Sequence, residues 1–301
     1  MKKLIRKGKI KEVYEVSDTR LNFFFPDNLA VFDKIVLNDI PRKGETLCKT
    51  SAYWFERVEE ELGLRTHFIE IVEDHTISVK KVDRVSDHKN IDKRTTNFVI
   101  PLEFISRYYV AGSLYERIEK GDVDYKILGF DEKPDYGDPL PDPFLEFSTK
   151  LENYDKVLTE EEALKLSRLS EKEFQQVKKA VLSIDELIKN SIEKNGLLHV
   201  DSKKEFGMDE DRNLILVDTF GTADEDRFWE KDEYEKGNFI QKNREFVKQY
   251  YKDIGYLESL MMARENNEEE PSIPNLPEDI VQKTSELYVD MMKRLTDRKY
   301  T

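Results

Sequence analysis

The sequence has a single cysteine, Cys48, among its 301 residues, so an intramolecular disulfide and a cysteine-rich metal site are both excluded. Its four histidines lack the spacing of a zinc motif such as H-E-x-x-H. Neither the phosphate-binding pattern G-x-x-x-x-G-K-[ST] nor the dinucleotide-binding pattern G-x-G-x-x-G occurs. Zinc enzymes, cysteine nucleophiles, P-loop proteins and dinucleotide-binding proteins are therefore disfavoured, and the scarcity of cysteine is typical of a reducing compartment.

Long apolar runs and an excess of positive charge are also missing. No apolar segment approaches the roughly 18 residues that a membrane span requires, and the start, MKKLIRKGKI, lacks the apolar core of a signal peptide. The 49 basic and 63 acidic residues give a formal net charge of −14, which opposes attraction to nucleic acid or to an anionic membrane. We therefore expect a soluble cytoplasmic protein with no nucleic-acid or membrane partner. Any phosphate that it binds must be held by a local group of cations.

Aromatic residues are plentiful, with 17 Phe, 14 Tyr and 2 Trp along the chain, so we expect order nearly throughout. Residues 1–100 favour a strand-rich α+β lobe, with hairpins formed by residues 5–16 with 21–25 and by 66–72 with 76–82. One helix is predicted to follow Thr50 or Ser51 as its cap and to end at Gly63. This helix is predicted to bury Trp54, Phe55, Val58 and Leu62.

A larger α+β lobe is predicted for residues 101–301. Pro101 indicates a crossing between the lobes, and residues 121–149 are rich in Asp, Pro and Gly, as in a long ordered surface loop. Ser170 and Glu173 form a capping-box pattern before an apolar stripe, which predicts a helix that ends at Asn195-Gly196. Two strands, 197–206 and 214–219, and two C-terminal helices, 238–262 and 278–296, complete the predicted order.

The strand predicted at residues 197–206 has one charged face. Alternation places Asp201, Lys203 and Glu205 on that face, opposite the apolar positions 198, 200 and 206. The next strand returns across a turn and brings Asp218 close to them. Carboxylates of this kind suit Mg2+ bound to nucleotide phosphates, because Mg2+ takes one or two carboxylates together with phosphate oxygens and water. A solvated face with alternating ion pairs explains the same pattern.

Two further groups of residues suit phosphate. Lys9 and Lys11 follow Gly8 and, if residues 5–16 form one strand, share a face that could hold a polyphosphate, although lysines also protect edge strands from aggregation. Arg107 lies six residues before Ser113, which could open a helix at residues 113–118 and form a site for a phosphate monoester. A capped helix with a surface arginine is the competing interpretation.

Taken together and in this order, seven motifs resemble those of the phosphoribosylaminoimidazole-succinocarboxamide synthase family, also called SAICAR synthetases. The motifs are GKIKEVY (8–14), VFD (31–33), IPRKGETL (40–47), PLEFISRYYVAGS (101–113), STKLENYD (148–155), DSKKEFG (201–207) and VDTFGTADEDRFW (217–229). The resemblance implies a two-lobed α+β fold whose N-terminal lobe is similar to that of protein kinases, with ATP between the lobes. It also implies an ATP-dependent ligase of purine biosynthesis that joins L-aspartate to a carboxyaminoimidazole ribonucleotide.

The resemblance assigns roles to individual residues. Four residues would bind ATP: Gly8, Lys9, Lys11 and Lys150. Glu205 and Asp218 would bind Mg2+. The ribonucleotide would be bound by Asp33, Arg107, Ser113 and Arg227, and the reaction centre would be lined by Asp201, Lys203, Asp155 and Asp224. The chain departs from the family pattern at Tyr154, Thr219 and Ala223, which puts the roles of Asp155 and Asp224 in doubt.

Two other functions remain to be weighed. A kinase-like phosphotransferase acting on a hydroxyl group would carry H-R-D in a catalytic loop and a lysine in V-A-I-K, and neither motif is present. A non-catalytic nucleotide-binding or scaffold protein would have no need for these acids, lysines and arginines at these spacings. The sequence leaves the oligomeric state open, a homo-oligomer included.

Overall fold

A computed structural model describes residues 3–8, 10–85, 91–150, 156–241 and 244–298 of the chain. The strands are β1 (Lys3–Lys7), β2 (Glu12–Ser17), β3 (Arg20–Phe24), β4 (Ala30–Val31), β5 (Lys34–Ile35), β6 (Phe68–Glu73), β7 (Thr76–Lys80), β8 (Phe98–Val99), β9 (Leu102–Tyr109), β10 (Pro139–Thr149), β11 (Val157–Leu158), β12 (Leu197–Met208), β13 (Leu214–Val217) and β14 (Arg227–Glu230). The helices are α1 (Lys43–Leu62), α2 (Gly112–Lys120), α3 (Glu160–Ser167), α4 (Glu171–Ile192), α5 (Lys231–Tyr234), α6 (Arg244–Asp253), α7 (Tyr256–Glu265) and α8 (Glu278–Thr296).

The strands form two main antiparallel sheets, which confirms the expected α+β class. The first sheet has the order β1-β2-β3-β7-β6 and packs against α1. The second has the order β11-β10-β9-β12-β13, and β8 and β14 also pair with β12. Helix α4 packs on β9 and β12, while α8 packs on both α1 and α4. The change from one sheet to the other falls near residue 100, but the division into two lobes stays a prediction.

The segment 5–16 was predicted as one strand and is two. A turn separates β1 from β2, and within it the Gly8 amide donates a hydrogen bond to the Lys11 carbonyl over 2.9 Å. A Cβ atom on residue 8 would approach that carbonyl oxygen to 3.0 Å, so glycine allows the close turn. The argument that put Lys11 on a strand face is therefore wrong, because Lys11 lies in the turn.

Helix α1 ends at Gly63 as predicted but begins seven residues before Thr50, at Lys43. The hydroxyl groups of Thr50 and Ser51 bond the carbonyls of Thr46 and Leu47 one turn earlier, instead of capping a first turn. Its buried face contains Trp54, Phe55 and Val58 as expected. Leu62 lies at the exposed end of the helix, so its predicted burial is wrong.

Part of the predicted loop 121–149 is the strand β10, which pairs with β9 continuously from Phe144 to Thr149. The register shifts between Pro139 and Phe144, the stretch that contains Pro141 and Pro143. Proline has no N–H to donate to a ladder, so these residues sit where the pairing is interrupted. Their density in the sequence concealed a strand that lies beside the site described below.

The region from Ser170 to the C-terminus follows the prediction more closely. Ser170 caps α4 and forms a capping box with Glu173, and α8 has the predicted bounds. The predicted helix 238–262 is interrupted, because Gly255 adopts a positive φ of 74° between α6 and α7. None of the described helices is both long and apolar enough to cross a membrane.

Strand β12 lies at the centre of the second sheet and does not alternate simply from end to end. Its pairing with β14 shifts register between His199 and Asp201. As a result, Val200 packs with Ala111 and Trp229, whereas Phe206 packs in the main core, so the predicted common apolar face is wrong. From Asp201 onward the alternation holds, which leaves the charged face intact.

Candidate active site

The charged face of β12 carries Asp201, Lys203 and Glu205 in a line. Four residues at a rise of about 3.3 Å each separate Asp201 from Glu205 by about 13 Å. Each of the three side chains contacts a different set of partners from neighbouring strands and loops. The face therefore offers three adjacent stations, which are described in turn from Glu205 to Asp201. We call the surface that runs along these three stations the groove.

The first station joins the two predicted metal ligands through lysines. The Lys150 ammonium contacts Glu205 and lies 3.4 Å from Asp218 Oδ2. The Lys11 ammonium contacts the other oxygen of Asp218, Oδ1. Asp218 has a positive φ of 63°, and its Oδ1 accepts a hydrogen bond of 2.8 Å from the Thr219 amide. A non-glycine residue in this backbone conformation costs energy, and such strain is concentrated at functional sites.

The charged groups of this station shift the pKa values of one another. Burial opposes the ionisation of Asp218, but the Lys11 and Lys150 ammonium groups outweigh it and hold the pKa of the carboxyl well below its usual range. Burial lowers the pKa of Lys150 to about 8, although Asp218 opposes the change. Burial also acts to lower the pKa of Lys11, yet Asp218 and Glu225 outweigh it and the pKa is raised. Asp218 is thus ionised, and the two ammonium groups balance its charge.

Lys11 has two further partners that the sequence did not predict, Thr219 and Glu225. Its ammonium donates to Thr219 Oγ1 over 2.8 Å and lies 3.5 Å from Glu225 Oε1. Thr219 Oγ1 in turn donates to Glu225 Oε1 over 2.6 Å. Glu225 adds a third carboxylate to this station. It reaches Lys11 because the loop after β13 folds back towards Asp218, which the sequence pattern does not show.

The second station is the pair formed by Lys203 and Glu103. The Lys203 ammonium lies 2.7 Å from Glu103 Oε1, and Glu103 Oε2 accepts a bond of 3.2 Å from the Ser148 hydroxyl. Burial acts to lower the pKa of Lys203, but Glu103 and then Glu225 outweigh it and raise the pKa. Of the site lysines that the structure describes, Lys203 is the most exposed, since its side chain is 38% exposed, and it can therefore reach a ligand in the groove.

The third station, at Asp201, contains two of the residues predicted to bind the ribonucleotide. Arg107 Nη1 lies 3.7 Å from Asp201 Oδ2, and Arg227 Nε lies 3.3 Å from the same oxygen. Despite this proximity, Arg227 Nε is buried and has no hydrogen-bond partner among the described residues. A buried donor without a partner costs about 1–3 kcal/mol. An anion bound at the arginine would remove that cost.

The third predicted ligand of the ribonucleotide, Ser113, lies beside these arginines. Its hydroxyl accepts a bond of 3.1 Å from Arg107 Nη2. Gly112, one residue earlier, has a positive φ of 53°, and a Cβ there would lie 2.5 Å from Arg227 Nη2. The backbone at the start of α2 thus passes directly against the Arg227 guanidinium.

A buried acid that the sequence analysis missed holds Arg107 from behind. Glu146 on β10 contacts Arg107 Nε with one oxygen and Arg117 Nη2 with the other. Glu146 is 5% exposed, and it faces β9 from a strand that had been predicted to be loop. One of its oxygens holds Arg107 at Nε, and the Nη atoms of Arg107 are directed towards Ser113 and Asp201.

Two predicted site residues, Asp224 and Asp33, lie outside the three stations. The carboxylate of Asp224 accepts a bond of 2.5 Å from the Tyr288 hydroxyl and lies 2.7 Å from the buried Lys43 ammonium. Asp33 occupies the exposed tip of the β4–β5 hairpin, where positive φ angles at Phe32 and Asp33 fit a type I′ turn. The roles of Asp224 and Asp33 in the reaction stay predictions. Lys9 and Asp155 lie outside the described residues.

The carboxylates of the first station fit the preference of Mg2+ for hard oxygen ligands. Glu205 and Asp218 converge on a single ammonium, that of Lys150, so their oxygens lie close enough to share one cation. The lysines that neutralise them are also of the kind that binds phosphate. A nucleotide with its metal would exchange these internal ion pairs for contacts with phosphate and metal.

Comparison with known proteins finds relatives along nearly the whole chain. A family model described as SAICAR synthetase matches residues 4–269. The chain is 45% identical over 298 residues to the phosphoribosylaminoimidazole-succinocarboxamide synthase of Thermoplasma volcanium, covering 99% of this chain and 100% of that protein. It is 30% identical over 292 residues to the protein of the same name from Nitrosopumilus maritimus, covering 97% of each.

Two solved structures share the fold. A SAICAR synthase from Saccharomyces cerevisiae, complexed with SAICAR, matches with a TM-score of 0.77 at 24% identity, covering 99% of this chain and 96% of that one. A SAICAR synthetase in complex with ADP matches with a TM-score of 0.68 at 23% identity, covering 98% of this chain and 99% of that one. At these identities the likeness establishes the fold alone.

Proposed function

Because the chain belongs to the SAICAR synthetase family, we propose that it joins L-aspartate to carboxyaminoimidazole ribonucleotide at the expense of ATP, releasing SAICAR, ADP and phosphate. The observation that carries the proposal is the line of three stations on β12. Two carboxylates paired with lysines occupy one end. Two arginines occupy the other, and one of them has a buried Nε that makes no hydrogen bond to any described residue, although it lies 3.3 Å from Asp201. The spacing of about 13 Å suits a nucleotide phosphate and a ribonucleotide phosphate at opposite ends of one groove.

The chemistry follows from the weakness of a carboxylate as an electrophile. An oxygen of the imidazole carboxylate attacks the γ-phosphorus of ATP, the bond to the bridging oxygen breaks, and ADP leaves. The acyl phosphate so formed is attacked by the aspartate amine, which loses a proton, and phosphate leaves with an oxygen of the original carboxylate. The protein contributes alignment of the reactants and compensation of their charge.

The first station would serve the nucleotide. Lys11 and Lys150 are proposed to bind ATP phosphates, with Gly8 allowing close approach of the backbone and Lys9 adding a further cation. Glu205 and Asp218 are proposed to hold Mg2+, which when bound would offset charge on the nucleotide phosphates. The internal ion pairs of both lysines with these acids support the assignment, since the same groups exchange partners when ligands bind.

The other two stations would serve the ribonucleotide and the joining step. Arg107, Ser113 and Arg227 are proposed to bind the ribonucleotide phosphate, and the buried Arg227 Nε, which makes no hydrogen bond to any residue that the structure describes, supports this role. Lys203, between the two proposed phosphate sites, is proposed to neutralise the imidazole carboxylate as it reacts. Asp201, Asp224 and Asp155 are proposed to line the reaction centre, and Asp33 to contact the ribonucleotide.

An omission assay tests the proposal. ADP release is measured with ATP, Mg2+, aspartate and the carboxyaminoimidazole ribonucleotide, and each component is then left out in turn. The proposal predicts that ADP release requires all four components and that it equals the formation of SAICAR. ADP release that continues without aspartate and ribonucleotide would mean that the protein is an ATPase or a kinase for another acceptor.

A further inference from the structure

Four ionisable side chains lie behind β12, on the side away from the groove. We call Asp185, His199, Lys204 and Asp226 the core quartet; none of them is more than 4% exposed. The Lys204 ammonium contacts Asp185 and bonds Ser202 Oγ over 2.6 Å. His199 Nε2 lies 2.8 Å from Asp226 Oδ2, and His199 Nδ1 lies 3.8 Å from Asp185 Oδ1. The quartet forms one connected group across α4, β12 and the loop before β14.

Stability alone does not explain such a group. Removing charges from water costs several kcal/mol for each ion, and well-packed apolar residues of similar volume are often as stabilising. Neither the nucleotide site nor the ribonucleotide site includes any of the four side chains. Their place in the fold therefore needs a reason other than stability.

Asp226 connects the quartet to the 221–226 turn, whose neighbouring residues belong to the proposed site, and this connection explains why the quartet is there. Its Oδ2 is paired with His199, and its Oδ1 accepts a bond of 3.0 Å from the Gly221 amide. The backbone N–H of Asp226 also donates to the Thr222 carbonyl over 3.1 Å. The carboxylate thus ties both ends of the 221–226 turn to the core.

The neighbours of Asp226 face the groove. Glu225, before it, contacts Thr219 and lies near Lys11 at the nucleotide end. Arg227, after it, lies against Asp201 at the ribonucleotide end. On the basis of the proposed function, we infer that Asp226, held by His199, is a positioning residue that sets the two ligand-binding ends of the groove at once.

The surroundings of His199 hold its ring in place. Its ring stacks on Phe228 at 5.3 Å and on Tyr108 at 5.8 Å between centroids. The charged groups that face it are Asp185 from α4, Lys204 from β12 and Asp226 itself. The ring is held between two aromatic side chains, and its Nε2 is directed at one oxygen of Asp226. If the loop moved, the ring could not move with it, and the contact with Asp226 would be lost.

A metal ion explains the quartet less well. Asp185, His199 and Asp226 are the one group of the described residues with three ligand atoms close enough to hold a metal. The two acids, however, face different nitrogens of the same ring, and these nitrogens point in diverging directions. The Lys204 ammonium already supplies a cation to Asp185. The cluster is therefore better explained as an anchor held by the Lys204–Asp185 and His199–Asp226 pairs.

The test compares Asp226→Ala with Asp226→Asn in the full-length protein. Alanine removes both acceptors, so the KM for ATP and the KM for the ribonucleotide should both rise about tenfold or more, with a smaller fall in kcat, since misplacement by about 1 Å is enough for such losses. Asparagine keeps an acceptor for the Gly221 amide and should restore both constants to within about threefold of wild type. The matched control is Asp232→Ala, which removes an exposed carboxylate from the adjacent helix α5 and should change neither KM.

Hydrogen exchange of the amides at residues 218–227 is measured on the same proteins. Asp226→Ala should speed exchange there and leave exchange in α4 unchanged. This readout needs no turnover, so an inactive wild-type protein would refute the proposed function and leave the anchor to be judged by exchange. If Asp226→Ala does not fold, His199→Leu and His199→Gln replace the pair, and glutamine, which keeps a donor, should be the less impaired.

Wild-type kinetic constants in Asp226→Ala would overturn the inference, as would an Asp226→Asn variant as impaired as Asp226→Ala. Unchanged exchange at residues 218–227 in Asp226→Ala would overturn it as well.

Discussion

The close approach of Gly112 to Arg227 provides a test of the ribonucleotide site that leaves every charged residue in place. In Gly112→Ala, the new Cβ would lie 2.5 Å from Arg227 Nη2 and 3.1 Å from Arg227 Cζ. Ordinary van der Waals contact begins at about 3.4 Å, so the guanidinium must move by roughly 0.9 Å. The far end of an arginine moves easily, and the consequence should appear in binding rather than in folding.

The expected loss is large for so small a change. A displacement of this size at a binding group costs up to about a hundredfold, and one charge-assisted hydrogen bond contributes about 1.5–3 kcal/mol, or roughly tenfold to 150-fold. The KM for the ribonucleotide should therefore rise at least about tenfold, while the KM for ATP stays within about twofold. The strained backbone adds roughly 1–2 kcal/mol of instability, since φ at residue 112 is +53°.

Helix α2 supplies its own control. Gly121, at the other end of the helix, also has a positive φ, of 79°, but a Cβ there would meet no atom within 4 Å. Gly121→Ala should therefore lose a similar amount of stability and keep both KM values. Steady-state kinetics with each substrate varied in turn, together with thermal melts, separate the two effects. If both variants changed the ribonucleotide KM equally, or if Gly112→Ala raised the two KM values alike, the placement of the ribonucleotide phosphate at Arg227 would be refuted.

Two other predictions concern buried charge. Glu205→Gln and Asp218→Asn should each abolish turnover. The protein should stay folded by circular dichroism, because each variant leaves the other carboxylate to pair with Lys150. Near-wild-type activity over a range of Mg2+ concentrations would disprove the metal assignment. Burial lowers the pKa of His67 to about 3 in the folded protein, so stability is lost as the pH falls from about 6.5 towards 3. Between about pH 7 and about pH 4.5, denaturant melts should show the stability of His67→Phe rising relative to wild type by roughly 2–3 kcal/mol, and a pH-independent difference would show that His67 titrates normally.

The sequence was informative where the chemistry follows a local pattern. The alternation of Asp201, Lys203 and Glu205 predicted one charged face, and the structure has it, because residues two apart on a strand share a face whatever else surrounds them. The resemblance to the SAICAR synthetases is confirmed by the family match across residues 4–269. The strand-face argument for Lys11 is wrong, but the resemblance selected the same residue, and Lys11 lies at the predicted metal ligand Asp218.

What the sequence could not reveal are the partners supplied by distant segments. Glu103 and Glu146 reach the site because β9 lies between β10 and β12, and strand order is not written in any local pattern. Glu146 was further concealed by the prolines of β10. The core quartet joins α4, β12 and the loop before β14, so its members become neighbours only in the folded chain.

The acyl phosphate is the centre of the proposed reaction, and oxygen isotope transfer tests it most directly. The ribonucleotide is prepared with 18O in its carboxylate and turned over to completion with ATP, Mg2+ and aspartate, and the released phosphate is analysed by mass spectrometry. The account predicts that each phosphate carries one oxygen from the carboxylate and that the other carboxylate oxygen remains in the amide. Phosphate without the label, formed in amounts equal to SAICAR, would contradict it.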